Sequence, residues 1–177
     1  MNITDVGHLT SDADEGEDKL EKGAQKEGKS VWEIADFYTK SFLQDIEKLN
    51  VWKPNKLVRA TATVKEQISL IKQLFEKSYA YETAQAVYFD VSGFKNYTKL
   101  SRQKLEKQKT GARAEVVEDF DKKNPYDFAL WFKREGRFKN HIMHWPSPWG
   151  EGFPGWHIEC SAISSTFLGQ PFDIHAG

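Results

Sequence analysis

Chemistry-bearing residues crowd into one stretch of this 177-residue sequence, Trp145 to Gly177, which holds the only cysteine, Cys160, and two of the five histidines, His157 and His175. His157 and Cys160 lie three residues apart, so on a helix an imidazole and a thiol share one face. Soft and borderline donors of this kind can converge on a metal ion, and His175 supplies a further donor downstream. The same cysteine also reads as a small hydrophobe on the apolar side of a helix. His141 and His144 flank an irregular segment and are expected to be exposed, so these residues alone do not assemble a four-ligand zinc site. Neither common glycine-rich phosphate loop is present, and no nucleophile elbow supports a Ser-His-Asp reading.

The elements that must position these residues are legible around them. Pro and Gly within Pro146–Gly152 build a shaped loop, closed by Phe153-Pro154-Gly155. Trp156, Cys160, Ile163 and Phe167 then recur at helical spacing, and Gly169 with Pro171 supplies a stop, which predicts a helix over His157–Leu168. Phe172-Asp173-Ile174-His175 reads as a short buried strand with a polar tip. Loop, helix, strand and polar tip together suit an α/β ligand site.

Upstream, Ser30-Val31-Trp32-Glu33 is a capping box that opens a helix with Ile34, Phe37, Tyr38, Phe42, Ile46 and Leu49 on one face. A second box, Thr63-Val64-Lys65-Glu66, opens another whose stripe is Val64, Ile68, Ile71, Leu74 and Phe75. Ala86–Val91 alternates and predicts a half-exposed strand. Asn124-Pro125 reads as a helix start, and Asp127–Phe132 as a return to a buried layer. Ser11–Glu27 is an acidic, solvated run in which the offsets of a calcium loop are not met. Lys95, Lys99, Arg102, Lys104, Lys107, Lys109 and Arg113 cluster in a polar segment, which reads as the surface of an inserted subdomain or as a phosphate-contacting patch with Tyr97 as a stacking partner.

Composition narrows the class. Hydrophobic residues at 39% with 14% aromatic describe a folded protein, and a net charge of −1 gives no global field for nucleic acid. A single cysteine excludes an internal disulfide framework and suits a reducing cytoplasm. No apolar run approaches the roughly 20 residues that span a bilayer, so neither an anchor nor a signal peptide is expected.

The run PSPWGEGFPGWHIECSAI, followed at short distance by FDIHAG, resembles the cysteinyl-tRNA synthetase family of class I synthetases. NITDVGH, ATATVKEQISLIKQL, AYE, AVYFDV, the KLS…GAR…E run and DFALW resemble that family in the same order, across essentially the whole chain. The resemblance implies that Cys160 ligates a zinc ion which binds the thiolate of substrate cysteine. It implies that Thr4, Trp156 and His175 line the cysteine pocket, and that ATP and tRNA(Cys) are the other substrates. A thiolate on zinc separates cysteine from serine at the binding step, so no editing site is required.

Departures from the family pattern shape the expectation. The family's His-Ile-Gly-His segment, its first zinc cysteine, its His-His-x-x-x-Glu segment and its Lys-Met-Ser-Lys-Ser loop have no counterpart in the 177 residues. Phe153 stands where the family usually has arginine, Ala176 falls in a glycine-rich turn, and Lys133–Met143 is longer than usual. The expected fold is an incomplete α/β Rossmann-type class I catalytic domain interrupted by an α+β connective insertion. Residues 1–60 and 124–177 are assigned to the catalytic domain and 61–123 to the insertion. The expected function is part of a cytoplasmic, monomeric, membrane-free cysteine–tRNA ligase, inactive in isolation. A related ligase joining cysteine to an amino-sugar and a non-catalytic cysteine- or RNA-binding module are the alternatives, and the basic segment favours the first reading.

Overall fold

The computed structural model describes the chain apart from residues 8, 12–14, 101, 103–118, 120 and 177. The first strand, β1 (Asn2–Ile3), pairs in parallel with β4 (Val58–Arg59), Asn2 opposite Val58 and Ile3 opposite Arg59. Parallel neighbours require a crossover. Here it contains the hairpin β2 (Leu9–Ser11) and β3 (Glu15–Asp18), then α1 (Lys19–Glu27) and α2 (Val31–Lys48). This β-α-β unit with its mixed α/β surroundings fits an incomplete class I catalytic domain.

After β4 come a 3-10 turn over Ala60–Thr63, then α3 (Val64–Glu76), β5 (Ala80–Glu82) and β6 (Ala86–Phe89). The chain continues through β7 (Phe128–Lys133) and β8 (Gly152–Pro154) into α4 (Trp156–Leu168). Strands β5-β6-β7-β8 form one antiparallel sheet. The division drawn at 123/124 therefore runs through a single hydrogen-bonded sheet. On one sheet face, Val87, Leu130 and Trp131 pack against Val64 and Ile71 of α3 and Ile158 of α4. The other face carries Ala86, Tyr88, Phe132 and Phe153, covered by Leu9 and Phe138. Trp145, at the mouth of the Pro/Gly loop, packs against all four apolar clusters among the described residues. Among those residues no helix is long and apolar enough to cross a membrane.

Local signals translate directly where partners are close in sequence. Ser30 Oγ accepts from Glu33 N at 3.2 Å and Glu33 Oε2 accepts from Ser30 N at 2.8 Å, which completes the expected capping box. The stripe of α3 and the buried Asp127–Phe132 run are also as expected.

Five expectations are corrected. Thr63 precedes α3 but does not cap it, because its hydroxyl donates to Ala60 O and accepts from Gln67 Nε2. The α2 face is misplaced: Phe37, Tyr38, Phe42 and Leu49 are exposed, while Val31, Ile34, Ala35 and Thr39 are buried, three of them at i, i+3, i+4 toward α1. Ala86–Val91 is not half-exposed, since layers on both sheet faces bury Ala86, Val87 and Tyr88. Asn124-Pro125 opens a turn rather than a helix, fixed by Asp127 Oδ2 accepting from Asn124 N at 3.1 Å. Phe172–His175 is not a buried strand: among the described residues no strand pairs with its backbone, and Ile174 is 83% exposed.

Candidate functional site

The site begins where α4 leaves the sheet. Gly155 N donates to Leu130 O at 3.0 Å, so the residue before the helix is clamped to β7. A methyl group at Gly155 would stand 2.8 Å from the carbonyl carbon of Ala129 and closer still to its oxygen. Only glycine fits this approach. Trp156 and Cys160 follow at i and i+4, which puts the indole and the thiol on one face of α4. Trp156 is 42% exposed and Cys160 half-buried.

A second element reaches this face from the opposite end of the chain. Asn2 Nδ2 of β1 donates to Cys160 Sγ at 2.9 Å, across 158 residues of sequence. Thr4 stands two residues past Asn2, exposed, just beyond the end of the strand. The loop that carries Thr4 is held by buried Asp5, whose carboxylate accepts from Thr61 N at 2.9 Å and from the Thr61 hydroxyl at 2.7 Å. Arg59 approaches the same carboxylate at 3.5 Å and also pairs with Asp36 at 2.7 Å. Burial pushes the Cys160 thiol above its ordinary value, and the neighbouring Glu159 adds to that shift. A sulfur so placed is a protonated, soft donor near neutral pH.

The sequence-predicted residues are brought together only in part. Trp156 shares the helix face of Cys160, and the residue that touches the sulfur is Asn2 rather than Thr4. His175 does not join them: it stands exposed, with its ring 5.8 Å from that of Phe172. His157 does not converge on the sulfur either, since its ring packs edge-on against Phe128 at 4.8 Å. His141, expected to be exposed, is 5% exposed and stacks on Phe153 at 3.7 Å. Its Nε2 lies 3.0 Å from Asp18 and its Nδ1 2.9 Å from Met143 O. The long Lys133–Met143 segment thus folds back onto the first residues of α1, and Phe153 supplies the aromatic floor where an arginine was expected. Asn2 was not singled out from sequence. Its signal was the NITD run itself, in which alternation sets Asn2 and Thr4 on one side of the strand.

Among the described residues no three His, Cys, Asp or Glu side chains stand close enough together to hold a metal ion. Cys160 offers one thiol, so the residues present do not by themselves make the zinc shell that the resemblance implies. Lys95, Lys99 and Arg102 of the basic segment are exposed or partly exposed surface residues, while Lys104, Lys107, Lys109 and Arg113 lie outside the described residues.

Residues 2–177 match the family model described as "tRNA synthetases class I (C) catalytic domain". The cysteine–tRNA ligase of Treponema denticola is 50% identical over 177 residues, all of this chain and 35% of that ligase. That of Chlorobaculum tepidum is 52% identical over 178 residues, 36% of its length. That of Deinococcus radiodurans is 54% identical over 176 residues, 99% of this chain and 34% of its own length. The chain therefore spans about a third of the curated relatives it matches. The matched run includes β1, the clamp at Gly155 and the whole of α4, and the chain belongs to the class I (C) tRNA synthetase catalytic-domain family.

Proposed function

We propose that this chain carries one wall of the amino-acid pocket of a cysteine–tRNA ligase, which activates cysteine with ATP as an adenylate and transfers it to tRNA(Cys). The observation that carries the reading is the Asn2–Cys160 contact, which joins the NITD strand to the GWHIEC helix in a chain about half identical to cysteine–tRNA ligases. In this reading Trp156 is the aromatic side of the pocket, Thr4 a hydroxyl contact on the loop pinned by Asp5, and Cys160 a thiol donor. His175, exposed beside Phe172, is assigned to the same pocket by the family resemblance. Residues 1–60 and 124–177 belong to the catalytic domain and 61–123 to the connective insertion, in a cytoplasmic monomer.

Cys160 would be one donor to a zinc ion, and the described residues hold no group of three donors that would complete its shell. What the chain's own residues do is position and select. The thiol is half-buried, the amide of Asn2 donates to it, and the indole of Trp156 lies one turn earlier on the same helix face. None of these groups neutralises the charge that develops on ATP phosphates. The 177-residue chain alone is therefore expected to show no cysteine-dependent ATP–pyrophosphate exchange. Exchange above a no-enzyme control would contradict the inactivity expected of the isolated chain, whereas exchange that survives Cys160→Ala would contradict the pocket assignment.

A further inference from the structure

On the sheet face turned away from α4, two stretches of chain close on each other and leave a cleft of about 390 Å³ between them. A volume of this size suits a small molecule, for which sites run from about 300 to 1,000 Å³. One wall is α1 with its N-cap, where Asp18, Glu21, Lys22 and Gln25 stand at i, i+3, i+4 and i+7 and so share a helix face. The other wall is the segment after β7, which brings Arg137, Phe138, Asn140 and His141. Leu9 of β2 also lines the cleft.

The buried part of this lining is held in place by the protein itself. Leu9, Asp18, Phe138 and His141 are all buried. Asp18 Oδ1 accepts from Glu21 N at 2.9 Å, and its Oδ2 lies 3.0 Å from His141 Nε2. Glu21 Oε1 accepts from Ile142 N at 2.6 Å, which ties one wall to the other. Each acid of the cleft is thus engaged by the walls.

The rim has a different character. Lys22, Gln25, Arg137 and Asn140 are exposed, so each wall contributes one cation and one amide. All four side chains end in N–H donors. Arg137 lies over the ring of Phe138, 4.5 Å from its centroid. Stacking uses the face of a guanidinium and leaves its N–H fork at the edge. N–H donors from two walls, two of them charged, above an apolar patch select an anion rich in acceptor oxygens that also carries an apolar body. A dianionic phosphate monoester meets both demands, because its oxygens can accept from both walls while Leu9 and Phe138 take its organic group. A cationic ligand would meet Lys22 and Arg137, and a wholly apolar one would desolvate four polar heads without repaying them.

We propose that the cleft between α1 and residues 137–141 binds a small organic phosphate, held by Lys22 and Gln25 on one wall and by Arg137 and Asn140 on the other. The site lies across the sheet from α4 and does not depend on the ligase reading.

The test titrates the 177-residue chain with phenyl phosphate, inorganic phosphate and benzyl alcohol by calorimetry at fixed ionic strength. Phenyl phosphate is expected to bind once per chain and about tenfold more tightly than inorganic phosphate, because only it brings a ring to Leu9 and Phe138. Benzyl alcohol is expected to show no saturable binding. Lys22→Gln and Arg137→Gln are each expected to weaken phenyl phosphate about tenfold, as loss of one charge-assisted hydrogen bond does. Lys65→Gln makes the same change of charge on α3, against the other sheet face, and is expected to leave binding unchanged. Matching thermal unfolding midpoints check that the variants remain folded, and Lys22→Gln decides the question if loss of the Arg137 stack disturbs Phe138. No saturable binding of phenyl phosphate, equal affinity for inorganic phosphate, binding that survives Lys22→Gln, or equal weakening by Lys65→Gln would each overturn the site. Neither cysteine, ATP nor tRNA enters this assay, so its failure leaves the pocket assignment standing.

Discussion

Gly155→Ala tests how the site is built. The added methyl would press on the Ala129 carbonyl, with the carbonyl carbon at 2.8 Å and the oxygen nearer. These are backbone atoms of central strand β7, so they cannot swing aside as a flexible side chain would. Relief requires α4 to lift from the sheet, which stretches the Gly155 N to Leu130 O bond of 3.0 Å and loosens Ile158 in its cluster. Overpacking of this kind costs about 1–3 kcal/mol. Loss of the hydrogen bond adds about 1 kcal/mol, for a total of about 2–4 kcal/mol. Gly23→Ala is the matched control, because in α1 its methyl would meet only Ile34 Cγ2, at 3.9 Å. Relieved of the helix penalty of glycine, that variant gains about 0.5–1 kcal/mol. Urea unfolding followed by circular dichroism measures both. Midpoints that shift in opposite directions support the clamp, whereas a Gly155→Ala midpoint equal to that of the parent refutes it.

Two further outcomes follow from particular contacts. Phe153→Arg, which installs the residue usual in the family, should destabilise the fold by at least about 3 kcal/mol, because Phe153 is buried against Phe132, Phe138 and His141. An urea midpoint within error of the parent would remove the aromatic-floor explanation. Tyr81 is held above the ordinary phenol value of 10.0, first by burial and then by the hydrogen bond it donates to Asp127. The folded state thus favours the protonated phenol, so its contribution is complete below the unfolded value and is lost as pH rises beyond it. Tyrosinate absorbance of Tyr81 should therefore appear only with alkaline unfolding, and Tyr81→Phe should remove that part of the alkaline sensitivity. A Tyr81 signal titrating at the ordinary value in the folded chain would contradict the buried hydrogen bond.

What could be read from the sequence depended on how far apart the partners lie. The Ser30/Glu33 box needs three residues and is seen at once. The apolar density of Asp127–Phe132 is likewise enough to mark a buried layer, which the structure shows to be strand β7, and the Pro/Gly loop marks its own turns. By contrast, periodicity shows that α2 is apolar on much of its surface but cannot say which neighbour arrives. Burial followed Val31 and Ile34 because Ala24 of α1 and Met143 cover them. His141 reads as a loop histidine until Asp18, 123 residues away, is placed beside it. The pairing of Asn2 with Cys160 is equally non-local. Cys160 stood out by residue type, whereas Trp156 and Thr4 were proposed for the pocket by the family resemblance alone. The resemblance also implied His175 in the same pocket, and in the structure His175 is exposed with its ring 5.8 Å from that of Phe172.

The assignment is tested most directly by transplanting this chain into a relative. The Deinococcus radiodurans cysteine–tRNA ligase is 54% identical over 176 residues, so its matching segment can be replaced by residues 1–177 with the remainder intact. The chimera is expected to charge tRNA(Cys) with cysteine, and Cys160→Ala within it to abolish charging while leaving its thermal unfolding unchanged. A folded chimera that does not charge tRNA(Cys), or one whose charging survives Cys160→Ala, would contradict the claim that α4 and β1 form a wall of the cysteine pocket.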